Sequence, residues 1–188
     1  MQINHKTNIT KVIIFISIIA LLTGCGRWAK RGGPYKYSSD RFRCIIPIDW
    51  MQDRTADLFL ITHDGLDLQM IFVEKIKINE KLSGTKKTFK KDMSAMEQAE
   101  TIIDNNKSKT SMFNYTVISN KPAIISGENG FRLVTEYRTK DDVRYRNVYY
   151  GFMKGDFFYD ICYSAPIRHY FDKEFDTFEE FVKSFSLY

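Results

Sequence analysis

The second half of the chain is a series of apolar, β-branched and aromatic segments broken by short polar links, a pattern that leaves few folds open. Residues 113–119, 123–126, 131–138, 143–153 and 157–164 each read as strands. The links are Gly127-Glu128-Asn129-Gly130, Lys140-Asp141-Asp142 and Lys154-Gly155-Asp156. Connections this short cannot carry a parallel crossover, so neighbours in sequence are expected side by side and antiparallel, as a meander. The first half adds a β-rich run at 42–46, stopped by Pro47 and followed by Trp50. Runs at 58–62 and 66–78 then flank His63-Asp64-Gly65, a hairpin signal.

Two helical stretches interrupt the strands. Phe89, Met93, Met96, Ala99 and Ile103 recur at steps of three and four, with lysines and acids between them. Thr85 or Thr88 is placed to cap that helix, and Asn105 and Asn106 end it. A closing helix is expected from about Thr177, where Thr177 and Glu180 have capping-box spacing and Phe178, Phe181, Val182 and Phe185 form an apolar stripe. The expected class is α+β, an antiparallel β-sheet flanked by helices.

The chain starts with a different kind of segment. Lys6 and Lys11 form a basic region without acids, and residues 12–22 are a compact apolar core, too short to span a bilayer, which takes ~20 residues. Leu22-Thr23-Gly24-Cys25 follows and resembles the lipobox of bacterial lipoproteins. The resemblance implies removal of residues 1–24 as a signal peptide and diacylglycerol on Cys25. Acyl chains contribute about 0.8 kcal/mol per buried methylene, so more than one long chain anchors durably. Residues 25–34 then form a tether in which Arg27, Lys30 and Arg31 surround Trp28, residue types suited to a bilayer surface. Residues 35–188 are expected as a single domain. In a host with two membranes, Gly26 after Cys25, in place of the aspartate of inner-membrane retention, leans towards the periplasmic face of the outer membrane.

Further resemblance covers nearly all of residues 35–188. The opening YSSDRFRCIIPIDW, the Met-containing helix, the hairpin GENGFRLVTEY and the ending FDTFEEFVKSFSLY resemble PsbP-like domains, a group that includes bacterial DcrB-type lipoproteins. That resemblance implies an α/β/α sandwich built on an antiparallel sheet. It also implies a non-catalytic role in assembling, docking or stabilising membrane complexes, with no catalytic residues to carry over.

The residues themselves add little chemistry. Residues 1–24 hold two of the 28 basic and none of the 23 acidic residues, which leaves +3 on the remainder and gives no support to nucleic-acid binding. An oxidising envelope permits a disulfide between Cys44 and Cys162, and burial as free thiols is the other reading. His63 and His169 have no nucleophile elbow nearby, although Ser164 and Asp160 lie close to His169 in sequence. Asp53, Asp57, Asp64 and Asp67 lack the spacing of a calcium loop. No cofactor motif is present.

One strand carries Arg144, Arg146, Val148 and Tyr150 on one face and Val143, Tyr145, Asn147 and Tyr149 on the other. Tyr and Arg are enriched at binding hot spots, so Arg144, Arg146 and Tyr150 are the candidate binding face, against the alternative of ordinary strand packing and ion pairing. The expected function is therefore a lipid-anchored, non-catalytic binding or assembly factor with an envelope protein partner. The alternative is a carrier or sensor of a small ligand or lipid, held in a cleft between the sheet and the first helix and lined by Met93 and Met96. A hydrolase with an unrecognised site ranks below both.

Overall fold

Strand-forming residues dominate the chain, and the computed structural model, which describes residues 27–30, 35–39 and 41–188, is built around one large sheet. Its elements run β1 (Trp28–Lys30), β2 (Tyr35–Ser38), β3 (Arg43–Ile46), β4 (Met51–Asp53), β5 (Phe59–Thr62), β6 (Met70–Lys77), α1 (Ala95–Lys107), β7 (Phe113–Ile125), β8 (Glu128–Arg138), β9 (Arg144–Lys154), β10 (Phe157–Pro166) and α2 (Asp172–Ser184). Eight strands pair in the order β1-β4-β5-β6-β10-β9-β8-β7, every neighbour antiparallel, and β2 and β3 form a separate hairpin. After β6 the chain passes through α1 to the far edge and returns as the expected meander, so that β10 lands against β6. The expected signal peptide at 1–24 and the expected lipid anchor at Cys25 lie outside the described residues, as does most of the expected tether.

Each face of the sheet buries its own core, with one helix over each. On the first, α2 presses Phe178 and Phe181 onto Ile61, Ile71, Val148, Tyr150, Phe152, Ile161 and Tyr163, with Trp50 and the β2–β3 hairpin filling the flank. On the second, α1 contributes Ala99 and Ile102 against Phe131, Leu133, Tyr149, Phe158 and Cys162. Central β10 is therefore covered on both sides and is buried almost throughout. Among the described residues a single helix lies on each face, which makes the domain sheet-dominated rather than a full α/β/α sandwich.

Helix boundaries differ from the sequence expectation for local reasons. Helix α1 starts at Ala95 because Ser94 and Glu97 form a reciprocal capping box: Glu97 N–H donates to Ser94 Oγ at 3.3 Å and Ser94 N–H to Glu97 Oε2 at 2.7 Å. Phe89 thus belongs to the preceding loop, where its ring stacks on Phe158 at 3.8 Å. Helix α2 begins at Asp172, before Thr177, with Asp172 and Glu174 in its first turn where carboxylates suit the helix dipole.

Residues 113–119 and 123–126 form one strand, β7, with two register shifts, between Phe113 and Thr116 and between Val117 and Ser119. It tolerates Pro122 because it is an edge strand. Ser126 (φ 52°) and Gly127 (φ 81°) turn the chain tightly into β8, which consequently starts at Glu128.

Candidate functional site

Antiparallel register decides which polar side chains meet beneath α1. On β10, Asp160, Cys162 and Ser164 alternate onto the second face, opposite Glu74, Phe72 and Met70 of β6 and Gly151, Tyr149 and Asn147 of β9. Helix α1 covers the Phe131–Phe158 end of this face with Ala99 and Ile102. Towards Ser164 a cleft of about 460 Å³ remains between the sheet and the end of α1, walled by Phe72, Leu82 and Ile102.

The floor of this cleft is polar. Asn106 Nδ2 and Asn147 Nδ2 both donate to Tyr149 Oη, at 3.0 and 2.7 Å. That uses one of the two N–H donors of each amide; Asn147 Oδ1 and Asp160 Oδ1 have no hydrogen-bond partner, and the Ser164 hydroxyl faces Tyr137. All three residues are buried, Asp160 being 4% exposed. Buried polar groups are normally paired, so this concentration of unpaired ones in a cleft marks it as the candidate site.

The site's electrostatics follow from burial. Desolvation raises the Asp160 carboxyl well above the ordinary range, and Glu74 adds to the effect while Lys109 opposes it. Glu74 is likewise raised by burial, again against Lys109. Burial and then Asp160 raise the Cys162 thiol.

These shifts have a sign. An unfolded Asp titrates near ~3.9 and the folded one higher, so the folded chain holds the proton more tightly between the two values. Stability is fully present below the lower value and falls as pH rises towards the higher one, by at most about 1.4 kcal/mol per pH unit for each proton. Asp160→Asn should remove most of that slope, leaving the variant at least as stable as the parent at pH 7. Urea melts at pH 4, 5.5 and 7 check this, and parallel pH dependences of parent and variant would refute it.

The other sequence candidates lie elsewhere. Cys44 and Cys162 are both buried free thiols in different cores on opposite sides of the sheet, so the permitted disulfide is not formed. Burial pushes the Cys44 thiol up to about 12, which keeps it protonated and unreactive at neutral pH. His169 is exposed in the turn before α2, whereas Ser164 and Asp160 face the cleft, so the three do not form a triad. His63 Nδ1 lies 3.3 Å from Asp64 and 3.5 Å from Glu174.

Asp53 receives Arg27 at 2.9 Å and holds Thr55, with its carboxyl lowered to about 2, first by Arg27 and then by Thr55. Asp64 pairs with Lys173 at 2.7 Å, the Asp67 carbonyl accepts from Tyr145, and Asp57 lies on a separate cavity near β5. Among the described residues no three His, Cys, Asp or Glu gather as metal ligands would.

Arg144, Arg146 and Tyr150 share the α2 side of the sheet, each already engaged. Arg144 and Arg146 both pair with Glu136, at 2.8 and 2.7 Å, and the Arg146 guanidinium lies 5.0 Å from the centre of the Phe171 ring. Tyr150 donates to Glu179 on α2 at 2.7 Å and accepts from Arg132 at 2.9 Å. In the first helix Met96 is largely exposed, and Met93, just before the helix, packs at the edge of the second core, so the cleft is lined by Ile102, Asn105 and Asn106 from the helix's other end. Sequence reading missed Asn147, Tyr149 and Glu74 as a group. Their only signal was alternation, which placed Asn147 and Tyr149 on a common face.

No family model matches the chain, and no curated protein matches it. Solved structures show what the fold is shared with. Cyanobacterial PsbP (CyanoP) from Synechocystis superposes with a TM-score of 0.59 at 14% identity, over 88% of this chain and 95% of that one. The Ran-binding protein Mog1p of Saccharomyces cerevisiae superposes with a TM-score of 0.55 at 9% identity, over 85% and 96%. A protein from Bacteroides thetaiotaomicron has a TM-score of 0.52 at 12% identity, and this chain, matched over 84% of its length, spans about half (49%) of it. The domain therefore has the PsbP-like fold.

Proposed function

We propose that this chain is a lipid-anchored, non-catalytic binding protein of a bacterial cell envelope, tethered through Cys25, whose domain holds a small polar ligand beneath α1. The observation that carries the reading is the cleft itself: about 460 Å³, lined by Asp160 and Asn147, each with a buried, unpaired acceptor oxygen. The volume suits a small molecule, and a ligand that completes those hydrogen bonds offsets about 1–3 kcal/mol of desolvation for each. The lipobox-like leader supports the anchor, and Gly26 supports the periplasmic face of an outer membrane.

Native mass spectrometry of the full-length protein, solubilised from its host membranes, tests both parts. We expect a low-molecular-weight adduct that Asp160→Asn loses, and Cys25→Ala protein recovered in the soluble fraction. A bare protein mass, with no shift in melting temperature on adding the host's small-molecule extract, overturns the ligand reading. Cys25→Ala protein that stays in the membrane overturns the anchor.

The second reading is an assembly or accessory factor for an envelope complex. It is favoured by β7, whose 13 residues form an open sheet edge on which Val117, Ile118 and Ile124 are exposed, Ile124 at 76%. Such an edge offers a row of backbone groups for strand addition by a protein partner. The Ran-binding name of Mog1p supports protein binding on this fold.

A further inference from the structure

We infer that the cleft beneath α1 takes a small, elongated organic cation, a diammonium or ammonium–guanidinium compound, with one charged end at Asp160 and Glu74 and the other at Asn147 and Ser164. This rests on the cleft being a ligand site, and it adds the ligand's chemistry.

The donors and acceptors point that way. Asn106 and Asn147 each spend one amide N–H on Tyr149, and the Asn147 carbonyl oxygen, on a residue that lines the cleft, is a buried acceptor without a partner. Asp160 Oδ1 is a second unpaired acceptor, on a residue 4% exposed. Glu74 is the register partner of Asp160 across β6 and β10 and also lines the cleft, which sets two carboxyls side by side. A ligand that brings N–H donors and positive charge complements this floor, whereas one that brings only acceptors does not.

Competing ligand classes fit less well. The charged groups around Asp160 are Glu74 on β6 and Lys109 after α1, while Tyr149 on β9 and Cys162 on β10 adjoin it; Glu80 and Lys81 stand on the loop above. Lys75 also borders the cleft but holds its ammonium 3.8 Å from the centre of the Phe157 ring, so an anion would meet Lys109 and exposed Lys81 and would face two carboxyls below. A metal ion needs more ligands than Asp160 and Glu74 provide, and the described residues hold no third of the right type within reach. The shape favours an extended molecule. Asp160 and Ser164 are four residues apart on one strand, roughly 13 Å at the usual rise, with Phe72, Leu82 and Ile102 as apolar walls for a methylene chain.

Binding should also release a proton. At low pH the carboxyl pair holds protons that the cation must displace to solvent, so affinity rises with pH by up to about tenfold per unit for each proton released. The test is calorimetric titration of the full-length protein in detergent with 1,8-diaminooctane, 1,4-diaminobutane, 1,8-octanediol and inorganic phosphate. The expected result is binding of the diamines, the eight-carbon one more tightly, with heats that depend on the buffer's ionisation enthalpy. Asp160→Asn and Glu74→Gln, each shown to be folded by circular dichroism, should each weaken it about tenfold or more.

If the diol or phosphate binds as tightly as the diamines, the cation inference fails while the cleft remains a ligand site. Should none of the four bind and the native spectrum show no adduct, both readings fail together. If only the diamines fail while an adduct persists, the inference alone is overturned.

Discussion

Phe158→Ala should cost about 3–5 kcal/mol of stability, the range for emptying a buried aromatic site that cannot collapse. Phe158 is fully buried, with its ring stacked on Phe89 at 3.8 Å and 6.2 Å from Phe131. It anchors the loop before α1 to the sheet, because Phe89 comes from that loop and is itself fully buried. Two effects should therefore appear together. The melting temperature should fall by roughly 10 °C or more for a domain of this size. Amide exchange should also accelerate across residues 79–93 well before the meander strands exchange. Phe158→Leu, which keeps most of the volume, should recover much of the loss. Equal acceleration in the loop and in β8–β10 of the alanine variant would show that Phe158 has no special hold on the loop.

Gly151→Ala should be nearly as damaging, for the opposite reason. A Cβ added there would collide with the Phe131 ring and lie 2.8 Å from Phe158 Cζ. Both rings are essentially fully buried and cannot swing into solvent. Overpacking of this kind typically costs about 1–3 kcal/mol, and the register leaves no easy relief because Gly151 sits directly between Phe131 on β8 and Asp160 on β10. Gly130→Ala should be at least as severe, since its Cβ would meet the Gly151 carbonyl oxygen, which is backbone. Denaturant melts of both variants check this. A Gly151→Ala protein as stable as the parent would mean that the rings have room the packing denies them.

Alternation and link length made the meander readable. Residues 131–138, 143–153 and 157–164 became β8, β9 and β10 within a few positions, because short polar turns and period-two patterning are local properties. Prediction faltered where local signals competed. Phe89 and Met93 fit the apolar stripe of α1, yet the capping box at Ser94 and Glu97 begins the helix after them. Thr177 and Glu180 had capping-box spacing but fall inside α2. Residues 113–119 and 123–126 looked like two strands because bulges and Pro122 break the pattern of what is one edge strand.

The candidate site was less legible. Alternation correctly put Tyr150 and Tyr149 on opposite faces, and a cleft between the sheet and the first helix was expected, but at the Met93–Met96 end of that helix. Glu74 and Asp160 are far apart in sequence and meet only because β10 closes on β6 after the meander. No local pattern encodes that register.

By itself, then, the sequence determined the elements of the meander, the two-faced alternation of its strands and the lipobox-like leader, all set by neighbours within a few residues. Only the tertiary structure decided that β6 and β10 are partners, that each helix covers a different face, and that a row of unpaired polar groups lies beneath α1. The physical reason is range: turn chemistry and periodicity act locally, whereas a cleft exists only once distant strands have chosen their register.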